Sequence, residues 1–229
     1  LHIVLYLYSI FLQGKFLARP NRFIAIVEID GKQEICHVKN TGRCKELFLP
    51  GAPVYLQRSE NPLRKTKFDL ISVYKGNRLV NVDSQAPNKV VAEYLPILFP
   101  NLKYVRPEAS YGSSRFDFYI ETNHEKIYME VKGVTLEDCN TARFPDAPTQ
   151  RGVKHLQELC ACKAAGYQAY VFFVIQMADI AAFSPNDKTH PQFGDALRIA
   201  NQSGVKILAK SCRVTPTALE ITNSVPVIL

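Results

Sequence analysis

The sequence predicts an α+β protein in two parts: an N-terminal OB-like β-barrel, then a mixed α/β sheet flanked by helices. Three observations predict it. Short runs that alternate apolar and polar residues fill the first third, punctuated by turn-forming pairs and without a convincing helical period. From Pro87 the apolar residues switch to helical spacing. Beyond that point strand-like and helix-like stretches interleave, the pattern of a sheet covered by helices.

Leu1 to Leu12 is almost wholly apolar, yet too short to cross a bilayer as a helix. It has no basic region before it and no clean small-residue cleavage site after it, so neither a secretory signal nor a membrane association is expected. Arg22 to Asp30 alternates, Asp30-Gly31 offers a hairpin turn, and Gln33 to Lys39 continues in the same style. Val54 to Arg58, Phe68 to Tyr74 and Leu79 to Val82 follow, with turn chemistry at Pro50-Gly51, Asn61-Pro62 and Gly76-Asn77. Five such strands are expected to close as a small barrel over residues 13–83, a fold that often binds oligonucleotides.

The second domain is expected over residues 84–229. Val90, Val91, Tyr94, Leu95 and Leu98 define an amphipathic helix ending near Phe99-Pro100. A strand from Leu102 to Arg106 precedes two alternating runs, Arg115 to Ile120 and Ile127 to Lys132, joined by a short polar link that reads as a hairpin. Gly133 to Pro148 reads as a rigid loop. A helix over Gln150 to Ala165 is capped by Thr149 and ended by Gly166. Its predicted buried stripe is Val153, Leu156, Leu159, Cys160 and Ala164, leaving Arg151, Lys154 and His155 as a separate basic cluster. Ala169 to Ile175 is apolar enough to be covered on both faces. A helix from Phe193 to Ser203 and strands at Val205 to Leu208 and Ala218 to Ile221 complete the order.

The net charge of +7 is uneven. Through Arg78 there are 13 Lys and Arg against 6 Asp and Glu, and 15 against 15 beyond it. All the surplus sits in the barrel, which suits a polyanion. Arg43, Lys45, Arg64, Lys65 and Lys67 lie in predicted loops where phosphates would reach them. The six cysteines include no CxxC pair and no disulfide-like spacing, so a zinc site and a disulfide framework are not expected. A reducing cytoplasm is the expected compartment.

The hairpin carries the chemistry. With its turn centred between Asn123 and His124, Asp117 falls opposite Glu130 and Arg115 opposite Lys132. One face would hold Phe116, Phe118, Ile120, Ile127, Met129 and Val131; the other Arg115, Asp117, Tyr119, Tyr128, Glu130 and Lys132. Facing carboxylates lie roughly 5 Å apart and destabilise a strand pair. A divalent cation between them would offset that repulsion, and Lys132 would orient a water. A Glu-x-Lys alone is an ordinary exposed strand ion pair; Asp117 opposite it is what points to a metal.

Several strings match a known family. Asn40-Thr41-Gly42-Arg43, Asn61-Pro62, Ser114-Arg115-Phe116-Asp117-Phe118, Glu130-Val131-Lys132-Gly133-Val134-Thr135-Leu136 and Phe144-Pro145-Asp146-Ala147-Pro148-Thr149-Gln150-Arg151-Gly152 occur in order. From about Phe16 onward the chain resembles the bacterial and archaeal sugar fermentation stimulation protein family, SfsA. The resemblance implies an OB-like domain followed by a PD-(D/E)xK nuclease-like domain, and nucleic-acid binding. It implies Asp117, Glu130 and the carbonyl of Val131 as ligands of Mg2+ or Mn2+, Lys132 as the assistant of the attacking water, and Glu93 as a helical acid joining them, with Glu108 as a less well-placed substitute.

The expected function is therefore binding of DNA or RNA with Mg-dependent phosphodiester hydrolysis, Arg115, Arg151, Lys154 and His155 gripping flanking phosphates. The alternative is a non-catalytic DNA-binding regulator of sugar metabolism that retains a nuclease-like fold. Sheet edges left open would allow a homodimer.

Overall fold

The structure, a computed structural model, describes residues 6–8 and 11–229. Most of the apolar run at the start, Leu1 to Leu5 with Ser9 and Ile10, therefore lies outside the described residues. The elements of the first part are β1 (Tyr6–Leu7), β2 (Phe11–Asn21), β3 (Ile24–Ile29), β4 (Lys32–Val38), β5 (Pro53–Arg58), β6 (Phe68–Lys75) and β7 (Arg78–Asn81). They are followed by α1 (Ala86–Leu98), β8 (Leu102–Tyr111), β9 (Ser114–Thr122), β10 (Lys126–Val134), β11 (Leu136–Asp138) and β12 (Thr141–Phe144). The chain finishes with α2 (Gln150–Ala164), β13 (Gln168–Ile175), β14 (Ala182–Pro185), α3 (Pro191–Gln202), β15 (Lys206–Thr215) and β16 (Ala218–Ser224).

The barrel closes because β2 pairs with both β3 and β5, β3 with β4, β5 with β6, and a parallel contact from Cys36–Phe68 to Val38–Leu70 joins β4 to β6. Alternation does the sorting: along β3, Ala25, Val27 and Ile29 are buried while their neighbours are half-buried. The fifth barrel strand is β2, and not the predicted Leu79 to Val82, which pairs with β6 outside the ring as β7. β2 begins inside the apolar run, so its alternation has no visible start. It also needs Gly14, where a Cβ would come 2.6 Å from Val27 Cγ1 and 2.8 Å from the Glu28 carbonyl.

The second part is a seven-stranded sheet in the order β1-β16-β15-β13-β10-β9-β8, parallel through β10, β13 and β15. Strand β13 supplies both faces. Tyr170, Phe172 and Val174 pack in one cluster with Val90, Val91 and Leu95 of α1; Val171 and Phe173 pack in the other with Leu156 and Leu159 of α2. That second cluster continues unbroken into the barrel through Phe16, Val54 and Leu70, so the two parts share one core. Tyr8 is buried as well, and its hydroxyl accepts a 2.8 Å hydrogen bond from Asn81.

The segment read as a rigid loop contains β11 and β12, which join β14 in a separate three-stranded sheet. Strands of three or four residues are too short for alternation to be visible. The hairpin register is as predicted over Lys126–Glu121, Ile127–Ile120, Tyr128–Tyr119 and Met129–Phe118. Its facial assignment fails at Phe116 and at Asp117, which meets Asn88 of α1 and not the α2 side on which Glu130 meets His155. Phe116 packs on the α2 side, 5.7 Å from the Tyr128 ring and 5.9 Å from His155, whereas Phe118 packs on the α1 side. The change of face coincides with Glu108, whose φ of 51° interrupts β8 between the pairs Pro107–Phe118 and Ala109–Phe116. No helix among the described residues is long and apolar enough to cross a membrane.

Candidate functional site

The site lies where β9 and β10 part. The β9–β10 pairing stops at Met129–Phe118, and two residues further along β10 the Val131 N–H donates instead to Asp117 Oδ2 at 2.7 Å. A side chain has replaced a backbone acceptor, which anchors the carboxylate to the neighbouring strand. Asp117 Oδ1 accepts a second hydrogen bond from Asn88 Nδ2 of α1 at 2.6 Å. Asp117 is thus held from the α1 side.

Glu130 is held from the α2 side. His155 Nδ1 and Lys132 Nζ each lie 2.5 Å from Glu130 Oε1. Arg151 Nε donates to His155 Nε2 at 3.3 Å, so that nitrogen accepts and the ring proton sits on Nδ1, facing the carboxylate. Glu130 Oε2 is buried and has no hydrogen-bond partner. Burial, and then the charge of Glu130, push the Asp117 carboxyl above the usual carboxylate range, against the hydrogen bonds from Val131 and Asn88. Burial also pushes Glu130 up, but the His155 hydrogen bond and the Lys132 charge outweigh it and hold the group below its ordinary value. One carboxylate is compensated by cationic and imidazole groups; for its neighbour, two hydrogen bonds and the Lys132 charge do not offset burial and Glu130.

That asymmetry, together with the orphaned Glu130 oxygen, fits a hard divalent cation: Asp117, Glu130 and the Val131 carbonyl are oxygen donors of the kind it takes. Among the described residues no cluster of three or more His, Cys, Asp or Glu side chains is arranged for a metal, so solvent or substrate would complete the coordination. Glu93 does not join the pair. It is exposed on α1, and the residue of that helix touching Asp117 is Asn88, five positions earlier and so about 140° round the helix. Glu108 is also exposed and forms a 3.3 Å ion pair with Arg115. Asn88 carried no sequence signal; only the approach of α1 to the hairpin brings it in.

The predicted basic cluster divides. Arg151 and Lys154 are exposed, Lys154 reaching the Ser113 carbonyl at 3.2 Å, but His155 is buried against Glu130 and reaches no solvent-borne phosphate. Cys162 takes the buried place predicted for Cys160. On the barrel, Arg43, Lys45, Lys65 and Lys67 are exposed. Arg64 is committed to a forked pair with buried Asp69 at 2.6 and 2.9 Å. A cleft of 170 Å³ separates the halves, lined by Asn40, Ser84, Thr135, Arg143, Asp146 and Gln176 among others. Gly133, next after Lys132, forms part of its wall; a Cβ there would come 2.5 Å from Gln176 Oε1 and 2.8 Å from Pro87 Cγ.

Fold and site define a class: an OB barrel fused through a shared core to a mixed sheet with a half-buried Asp and a Glu-x-Lys at the mouth of its central hairpin. The chain belongs to the sugar fermentation stimulation protein family. The family's N-terminal OB domain matches residues 17–82 and its RE domain residues 85–218. Homologs of the sugar fermentation stimulation protein from Clostridium beijerinckii and Desulfitobacterium hafniense strain Y51 are 56% identical over 97% of this chain and 60% over 94%, covering 99% and 95% of those proteins. The solved structure of Pyrococcus furiosus SfsA in complex with Ca2+ is similar across 98% of both chains, with a TM-score of 0.89 and 26% identity.

Proposed function

We propose that this protein binds nucleic acid and hydrolyses its phosphodiester bonds with a divalent cation, Mg2+ or Mn2+, held by Asp117, Glu130 and the Val131 carbonyl. The observation that carries the reading is the pair of half-buried Asp117 and buried Glu130, in which burial and the Glu130 charge raise the Asp117 carboxyl and Glu130 keeps one oxygen unpartnered. A relative of the same fold is described in complex with Ca2+, another hard cation. When bound, the cation would polarise the phosphoryl oxygens and lower the pKa of a water. Asn88 and the Val131 amide fix the Asp117 carboxylate, and His155 fixes Glu130. Lys132 neutralises Glu130 and orients the water or the scissile phosphate. Arg151 and Lys154, exposed on α2, meet flanking phosphates.

The second reading, a binder without catalysis, is favoured by the Lys132–Glu130–His155 group, in which Glu130 Oε1 is matched by two partners without a metal. A cleavage assay decides between them, on single- and double-stranded DNA and RNA with Mg2+, Mn2+ or EDTA. Cutting that requires metal and is lost in both Asp117→Ala and Lys132→Ala supports the enzyme. Equal residual cutting in the variants marks a contaminant and sinks the assignment; binding with no cutting under any condition establishes the binder.

A further inference from the structure

We infer that Gln176 is a positioning residue for the proposed metal site: it fixes the start of α1 against the end of β10, and so holds Asn88 against Asp117. The role rests on the metal reading above and deepens it. The hydrogen bond from Asn88 to Asp117 requires the first turn of α1 to keep its place beside the hairpin. That turn has no cap of its own, since the side chain of Gln85 at its start makes no capping hydrogen bond. Asp83 supplies the acceptors instead. Its Oδ1 receives the Gln85 amide at 2.9 Å, and its carbonyl receives the Ala86 amide at 3.2 Å.

Gln176, just beyond β13, ties Asp83 to the rest of the molecule. Gln176 Nε2 donates to the Asp83 carbonyl at 3.0 Å and to Asn81 Oδ1 at 2.8 Å. Its backbone N–H donates to the Val134 carbonyl at the end of β10, and its carbonyl accepts from the Asn81 amide, both at 2.9 Å. One residue therefore joins β10, the barrel strand β7 and the approach to α1. Backbone groups dictate how these amides are turned: a carbonyl faces Gln176 Nε2, and Asn81 Oδ1 also accepts the Asp83 amide at 3.0 Å. Asn81 Nδ2 then donates to the Tyr8 hydroxyl at 2.8 Å, and that hydroxyl donates to Asp83 Oδ2 at 3.5 Å. Tyr8, Asn81, Asp83 and Gln176 are each at most 4% exposed, so a lost partner there is not replaced by bulk water. Gln176 Oε1 and Pro87 both close on Gly133, which seats the residue before Asn88 on the strand that carries Glu130, Val131 and Lys132.

The test is calorimetric titration of the full chain with Mn2+, in a double-mutant cycle of Gln176→Met and Asn88→Ala. Asn88→Ala alone should lower Mn2+ affinity about 10- to 100-fold, the cost of losing the hydrogen-bond partner of a ligand. Gln176→Met keeps the length of the side chain but not its donor, and should lower affinity about 10-fold, the lower end of that range. Added to Asn88→Ala it should lower affinity no further, because the bond it protects is already gone. A merely structural role would give the same loss in both backgrounds. Tyr8→Phe removes one hydroxyl at the edge of the network and takes the place of Gln176→Met in the cycle should that variant fail to fold. Hydrogen exchange of the metal-free protein reads the same displacement. The Val131 amide, which donates to Asp117, should exchange faster in Gln176→Met and Tyr8→Phe while the amides of α2 keep their rates. Equal losses in both backgrounds, or unchanged Mn2+ affinity with unchanged Val131 exchange, would overturn the role and leave the metal site standing. A wild type that takes up no Mn2+ would overturn the metal reading, and Val131 exchange alone would then decide whether Gln176 positions Asp117.

Discussion

Asp117 and Glu130 are neighbours with opposite fates, and the difference is measurable. The folded state raises the Asp117 pKa, so this residue contributes most stability below the ordinary aspartate range and progressively less as pH rises through the raised value. Replacing it with Asn removes the buried charge, and Asn88 can turn its amide to match. Asp117→Asn is therefore expected to melt at or above the wild-type temperature at pH 7 without metal, while losing the rise in melting temperature that Mn2+ gives the wild type. A variant that melts far below wild type would contradict the repulsion. His155 acts through Glu130. His155→Ala leaves Lys132 as the only group on that carboxylate, and metal affinity should fall about 10- to 100-fold, the cost of losing an outer-shell partner. Calorimetric titration with Mn2+ reads it, and unchanged affinity would reduce His155 to core filling.

At the scale of elements, α2 and β10 hold the site through local rules. Thr149 Oγ1 accepts from Gly152 N–H at 3.0 Å, capping α2 just before Arg151 and His155. Thr149→Ala should cost about 1 kcal/mol, measured by denaturant unfolding. Gly133 is demanded by the close approach of α1 and Gln176 to the end of β10. Gly133→Val should cost about 1–3 kcal/mol, the penalty of overpacking, and disturb the cleft next to Lys132. The cap was legible because a hydroxyl residue before an amphipathic period is a strong local signal. Nothing local marks Gly133 as crowded, since its neighbours come from α1 and the end of β13.

Across the whole molecule, ion pairs tie distant strands. Asp69 is buried, and although burial pushes its carboxyl up, hydrogen bonds from Arg64, Lys39 and His37 with the charge of Lys39 bring it down to about 2. Since the folded pKa lies below the unfolded one, its contribution is complete above about pH 4 and lost as pH falls towards 2. The shift is worth about 2 kcal/mol. Acid unfolding of Asp69→Asn should show a correspondingly weaker pH dependence between pH 4 and 2. Between the halves, Glu137 receives Lys75 at 2.7 Å and Arg78 at 3.2 Å, and Gln176 Nε2 donates to Asn81 Oδ1 at 2.8 Å. These cross-links, with the common core, hold the barrel against the hairpin so that the cleft keeps its shape.

Alternation, helical period and turn residues were enough to expect a barrel, a covered sheet, the capped α2 and the hairpin register as far as Met129–Phe118, because each depends on residues only a few positions apart. The resemblance to the family rested on the matched strings and not on periodicity. The rest depended on encounters between distant segments. β2 took the barrel place expected of β7, Asn88 and not Glu93 met Asp117, and His155 turned inward to Glu130 while Arg151 and Lys154 stayed outside. A sequence period says that a residue lies on a helix face; only packing decides what that face meets, and a buried charge takes whichever partner the fold delivers.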